Sequence, residues 1–243
     1  MTDAAQVLVL WDIDRTLLYV GDIDRQVYRE TFAEIVGRPA QRLPARGTGV
    51  TMPLAIRSLL LDNDVPEPEV PALVPRMVAL LPQRLAVHAD DLRERGVLLP
   101  GVVDALKAVR AQPNLLPTVL TGNLKPNALL KLEAFGLDEF LDTQIGGYSS
   151  DNDHRPALVA VAQERAQAKH GTTIFTRTNT VIIGDSLEDV RTGLEGGAAV
   201  IAVTSGKATA DELAAAGADL VLDSLEDVPR LLEAIATATR NRT

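Results

Sequence analysis

The chain opens on a short continuous apolar run, Val7-Leu8-Val9-Leu10-Trp11, that stops abruptly at Asp12. Five apolar residues with no polar alternation predict a strand buried on both faces rather than one with a wet side. From about residue 19 to about residue 98 the pattern turns helical. Periodic stretches at 25–36, 52–61, 70–81 and 82–95 are separated by segments rich in Pro, Gly or Asp. After Leu99-Pro100-Gly101 strands and helices alternate, which predicts a parallel sheet covered on both faces. The expected strands are 116–120, a short one near 143–146, 180–183, 199–203 and 220–222. The expected helices are 102–111, 126–135, 156–170, 187–195, 209–216 and 225–238. Pro126 and Pro156 each stand where a first helical residue belongs, a position that tolerates the missing N–H.

This pattern predicts an α/β fold: a Rossmann-like parallel-sheet core built from residues 1–18 and 99–243, with an all-helical insertion over 19–98. Three strands end in polar clusters: Asp12-Ile13-Asp14-Arg15-Thr16, Thr121-Gly122-Asn123 and Gly184-Asp185-Ser186-Leu187-Glu188-Asp189. In an open parallel sheet the carboxyl ends of the strands converge on one crevice, so these distant segments are expected to meet there.

Composition narrows the possibilities. A chain of 243 residues, 46% hydrophobic and 23% charged with mean hydropathy +0.08, has the make-up of a globular protein. The formal charge of −9 repels a polyanion, and no basic run interleaved with aromatics offers a track for nucleic acid. Cysteine is absent, which excludes disulfides, thiolate metal sites and a cysteine nucleophile. Residues 1–6 lack the basic and apolar segments of a secretory signal, and no run is expected to span a membrane. The expected setting is the cytoplasm.

Two aspartates spaced two apart at a strand end present two carboxylates to one small volume. Such a pair needs a cation or a proton between its members, and carboxylates from another strand end would complete an all-oxygen site suited to Mg²⁺. Asp12, Asp14, Asp185 and Asp189 are the candidate metal group. Asp12 beside such a cation is a candidate nucleophile toward phosphorus, and Asp14 a candidate general acid/base. Thr121, Gly122, Asn123 and Thr16 are candidate phosphate contacts. Arg155, at the start of a helix, is the candidate cation for the transferring group. Each cluster alone is more often a turn, a cap or a solvated face. Jointly, each following an apolar strand, they point to chemistry.

These residues resemble the haloacid dehalogenase-like hydrolases, and within them the branch that includes phosphoglycolate phosphatases with a helical cap. The first family motif, an apolar strand followed by Asp-x-Asp-x-Thr, matches Asp12, Asp14 and Thr16. The second, a strand ending in Thr or Ser, matches Thr121, and the fourth, Gly-Asp-x-x-x-Asp, matches Gly184, Asp185 and Asp189. The resemblance implies a Mg²⁺-dependent phosphatase acting through an aspartyl-phosphate, with residues 19–98 as a cap closing over the site. It implies a small phosphorylated metabolite as partner, and a monomer or homodimer. Phosphoglycolate, sugar phosphates and nucleotides all remain open as substrates.

Two departures stand out. Arg15 replaces the usual Gly, which is expected to fit if the backbone there does not need a positive φ. No Lys lies between Lys131 and Lys169 to supply the third motif, so its role is assigned to Arg155. Arg46, in the loop-like Arg46-Gly47-Thr48-Gly49, is a candidate substrate contact, while His88, His154 and His170 are expected at the surface. Asp14 weighs against a dehalogenase, and a cap without Lys weighs against phosphonate cleavage. A phosphomutase, or a non-catalytic phosphate-binding protein of the same fold, remains an alternative.

Overall fold

A computed structural model of the chain describes residues 6–45, 49–171 and 174–240. Strand β1 (Val7–Trp11) is buried at every position, as a strand covered on both sides must be. The chain then turns tightly into the short β2 (Leu18–Tyr19) and runs through helices α1 (Gly21–Val36), α2 (Met52–Asp62), α3 (Val70–Val87) and α4 (Ala89–Arg95). It returns along β3 (Val97–Leu98), which pairs antiparallel with β2 and so brings the two ends of the helical segment together.

Beyond β3 helices and strands alternate: α5 (Val102–Arg110), β4 (Leu115–Thr121), α6 (Lys125–Ala134), β5 (Gly147–Tyr148), α7 (Ala157–His170), β6 (Thr180–Gly184), α8 (Leu187–Gly196), β7 (Ala199–Val203), α9 (Ala210–Ala215), β8 (Leu220–Leu222) and α10 (Val228–Arg240). The strands form a six-stranded sheet in the order β5-β4-β1-β6-β7-β8, parallel throughout. β1 lies between β4 and β6, which places the residues after Trp11 at the point where the winding of the sheet changes direction.

Alternate side chains of β1 feed opposite faces. Val7, Val9 and Trp11 join the core formed with α5, α10 and the inserted helices, whereas Leu8 and Leu10 pack with Leu158, Val159 and Ala162 of α7. Truncating one of these to Ala costs about 2–5 kcal/mol in a close-packed interior.

The expected start of α1 moves from 25 to Gly21 and that of α10 from 225 to Val228, and two further boundaries are misplaced for identifiable reasons. The strand expected near 143–146 is instead Gly147–Tyr148, pairing with the last two residues of β4 (Leu120↔Gly147, Thr121↔Tyr148). The glycine there is a packing requirement rather than a stop, since a Cβ at Gly147 would lie 2.5 Å from the Leu158 carbonyl oxygen. The helix break expected at Pro82 is also absent. α3 runs through Pro75 and Pro82 and ends at Val87, because Met77, Leu81 and Leu85 keep one face of it buried. Pro82 forgoes a hydrogen bond, but tertiary packing carries the helix past it.

The expectation that no segment is apolar enough to span a membrane also needs correction. Residues Glu67–Val87 reach that length with a mean hydropathy of 1.2, although only 22% of the window is buried. Arg76 and Arg84 interrupt its outer face, and Val70, Met77, Leu81 and Leu85 pack inward.

Candidate active site

β1 delivers Asp12 to the carboxyl edge of the sheet, where its backbone N–H donates to the Ile183 carbonyl of β6 at 2.9 Å. That bond continues the β1–β6 ladder by one residue and fixes the start of the polar turn. β6 delivers Asp185, and the first turn of α8 delivers Asp189. One carboxylate oxygen from each of Asp12, Asp185 and Asp189 lies within 4.8 Å of the others, and all three residues are buried. Burial, followed by the charge of Asp189, pushes the Asp12 carboxyl well above its ordinary range. The same two causes raise Asp185 to about 7. Three carboxylates so held need positive charge, and a donor set made only of carboxylate oxygens suits a hard divalent cation such as Mg²⁺.

Arg155 is part of that compensation. It is buried, and its Nη2 donates to Asp12 Oδ1 at 2.8 Å and to Asp189 Oδ1 at 2.5 Å. Its Nη1 donates to the Gly49 carbonyl at 2.5 Å. β5 sets the loop that brings it there, directly beside the end of β4. Asp189 is held a second way: its carboxylate accepts from the Ser186 N–H and Oγ while Ser186 Oγ accepts from the Asp189 N–H, a reciprocal cap on α8. Thr16 is fully buried and donates to Asp185 Oδ1 at 3.1 Å, so it holds a carboxylate rather than facing a ligand.

Asp14 goes elsewhere. Its carboxylate lies outside the group formed by Asp12, Asp185 and Asp189, accepting from Lys131 Nζ at 2.8 and 3.0 Å and from Asn123 Nδ2 at 2.7 Å. Thr121 Oγ1 accepts from the Asn123 N–H at 3.2 Å and from Asn123 Nδ2 at 2.8 Å. The Asn123 N–H is therefore engaged rather than aimed at a ligand, while the Thr121 O–H keeps its proton to donate.

A cavity of ≈ 150 Å³ joins these groups, with Asp12, Asp14, Thr121, Gly122 and Asp185 on the sheet side and Asp24, Tyr28 and Met52 from the inserted helices. Residues 49–52 lie across it. The Met52 N–H donates to the Gly122 carbonyl at 2.8 Å and Thr51 Oγ1 to the Asp153 carbonyl at 2.7 Å. Gly49 (φ 68°) leaves no room for a side chain, since a Cβ would sit 2.6 Å from Arg155 Nη1. Gly122 is as tightly confined, since a Cβ there would sit 2.5 Å from the Val50 carbonyl oxygen.

Two sequence expectations change at this point. Arg15 does take a positive φ, 71°, in the region that favours glycine, and its guanidinium stacks 4.6 Å from the Tyr19 ring centroid. His154 is exposed as expected, but His88 is largely covered, lying between Asp91 and Glu30. Arg46 lies outside the described residues. The pattern also gave no role to Lys131, Asp24 or Ser186. For Lys131 a signal existed: it falls on the same face of α6 as Ala128 and Leu132, a stripe otherwise turned into the core.

A profile of the haloacid dehalogenase-like hydrolases matches residues 9–193, from the middle of β1 to the middle of α8. The chain belongs to this family. Among relatives, it is 29% identical over 157 residues to the probable phosphatase IndB of Dickeya dadantii, covering 63% of this chain and 64% of that one. It is 31% identical over 149 residues to a plasmid-encoded phosphoglycolate phosphatase of Cupriavidus necator, covering 60% of each. The chain thus spans somewhat under two thirds of the length of these relatives. Its fold matches that of a protein from Clostridium acetobutylicum described as a predicted phosphatase, with a TM-score of 0.69 at 17% identity, over 95% of this chain and all of the other.

Proposed function

We propose that this protein is a Mg²⁺-dependent phosphatase that hydrolyses a small phosphate monoester through an aspartyl-phosphate on Asp12. The observation that carries the proposal is the placement of Asp12. It is buried, bonded to Arg155, grouped with Asp185 and Asp189, and opens onto a cavity lined also by Asp14 and Thr121. The names of the relatives from Dickeya and Cupriavidus support the same reading, and so does the modest cavity, which suits a small substrate.

In this mechanism Asp12, Asp185 and Asp189 hold the metal. When bound, Mg²⁺ offsets the charge of the carboxylates and of the substrate phosphate, which lets an anionic nucleophile approach phosphorus. Asp12 forms the new bond to phosphorus as the ester oxygen leaves. Asp14, on the same cavity wall but outside the carboxylate group, protonates that oxygen and then takes a proton from the water that cleaves the aspartyl-phosphate. The Thr121 O–H donates to a phosphoryl oxygen. Arg155 keeps Asp12 and Asp189 in register and carries positive charge next to the transferring group. Residues 19–98 act as the cap, with the 49–52 segment excluding water over the reacting atoms.

The test is phosphate release from a panel of phosphate monoesters, with Mg²⁺ and with a chelator, beside Asp12→Asn. Release that requires metal and vanishes in the variant, with its circular dichroism unchanged, is the expected result. Wild-type turnover by Asp12→Asn would remove Asp12 from the mechanism.

A further inference from the structure

Lys131 is fully buried in α6, yet it carries a charge. Its neighbours on that face, Ala128 and Leu132, are apolar and equally buried, so a leucine would serve packing there without the cost of taking an ammonium out of water. Ion pairing seldom repays that cost in full. What distinguishes Lys131 is its set of partners. Its Nζ donates to Asp14 (2.8 and 3.0 Å), to Asp24 Oδ2 (2.8 Å) and to Asn123 Oδ1 (3.0 Å). Three partners match the three hydrogens of an ammonium.

We propose that Lys131 is a positioning residue for Asp14 and ties it to the inserted helices through Asp24. The inference rests on the acid/base role proposed for Asp14. The Asp14 carboxylate is gripped by Lys131 at both oxygens and by Asn123 at one, and Asn123 is itself braced by Thr121 Oγ1. Asp14 is therefore held by α6 and the end of β4, not by its own flexible turn alone. Asp24 sits in the first turn of α1, next to the junction between β2 and the helical segment. A movement of α1 changes what shares the Lys131 ammonium with Asp14. The position of the acid/base thus depends on the position of the helices that cover the cavity.

The distinguishing measurement compares two substrates. An aryl ester such as 4-nitrophenyl phosphate has a weakly basic leaving group that departs with little protonation. An alkyl phosphate has a strongly basic one that needs a placed acid. Two variants are compared with the wild type in the full-length protein with Mg²⁺: Lys131→Met, and Lys131→Met with Asp24→Asn, which restores the local charge balance.

The expected result is a loss of kcat on the alkyl ester about tenfold greater than on the aryl ester, a part of the roughly 10²–10⁴-fold that a placed acid contributes, with little change in KM. The same split is expected in the double variant. Equal losses on both esters would make Lys131 a structural strut and overturn the proposal, as would a failure of both variants to fold. A wild-type protein inactive on every ester would instead overturn the phosphatase reading.

Discussion

Arg155 meets two carboxylates that no other cation among the described side chains touches, which makes it the residue whose loss should be felt most. Arg155→Met leaves Asp12 and Asp189 facing each other with nothing between. Stranding buried charge in this way costs about 3–5 kcal/mol, so urea unfolding without metal should show a loss of that size, and added Mg²⁺ should recover much of it. Arg155→Lys should fare better than Met but below wild type, since one ammonium cannot reproduce a planar fork. Arg15 gives a second, independent test. Held at φ 71°, it strains any side chain with a Cβ. Arg15→Gly should therefore be more stable than Arg15→Ala by about 1 kcal/mol, both having lost the Tyr19 stack. Single residues were legible in the sequence where strand ends announce them, as with Asp12, Thr121 and Asp185. For Lys131 the apolar stripe of α6 signals burial but not a role, because its partners lie 117 and 107 residues away and only the folded chain brings them together.

Element boundaries were legible where a cap or a clean apolar run marks them. β7 falls at the expected residues, and Thr209 caps α9 in a reciprocal box with Glu212. α3 was not, since local propensity puts a stop at Pro82 while the burial that overrides it comes from α1 and α2. The end of α3 carries its own test. His88, at the joint with α4, bonds Glu30 of α1 and Asp91 of α4. Those bonds raise the His88 pKa above its ordinary value, and the hydrogen bonds from His88 and Gln26 lower Glu30 against the opposing effect of burial. A raised histidine contributes stability that is whole below about pH 6.5 and fades as pH climbs through the folded value. A lowered carboxyl contributes above its unfolded pKa and fades in acid. The difference in melting temperature between wild type and His88→Gln should thus be larger at pH 6 than at pH 9. No such difference would mean that the bridge contributes nothing to the packing of α1 against the α3–α4 joint.

For the whole molecule, the parallel sheet and its acidic edge could be read from the alternation of apolar runs and helices. The metal-free balance of that edge could not, because it depends on which carboxylates become buried together. Asp12 and Asp185 bind protons more readily folded than unfolded. Between an ordinary carboxyl pKa near 4 and the folded value of about 7 for Asp185, the native state holds the extra protons. Stability from this cluster therefore falls as pH rises through that window. Melting curves in a chelator should fall from pH 5 to pH 8 by more than those in saturating Mg²⁺, because a cation among the carboxylates replaces the protons. Parallel curves would argue against metal binding here.

The last residue of β1 is the chain's single tryptophan, wholly enclosed, with an indole N–H that finds no acceptor among the described residues. Its ring packs in the same cluster as Ile13, Leu17 and Val20, where the sheet passes into the helical segment, and the next residue is Asp12. The protein thus carries one indole chromophore, without background from any other, seated between Asp12 and the short β2–β3 pairing from which the inserted helices leave the sheet. Light absorbed at Trp11 would report in real time, with no label attached, on both.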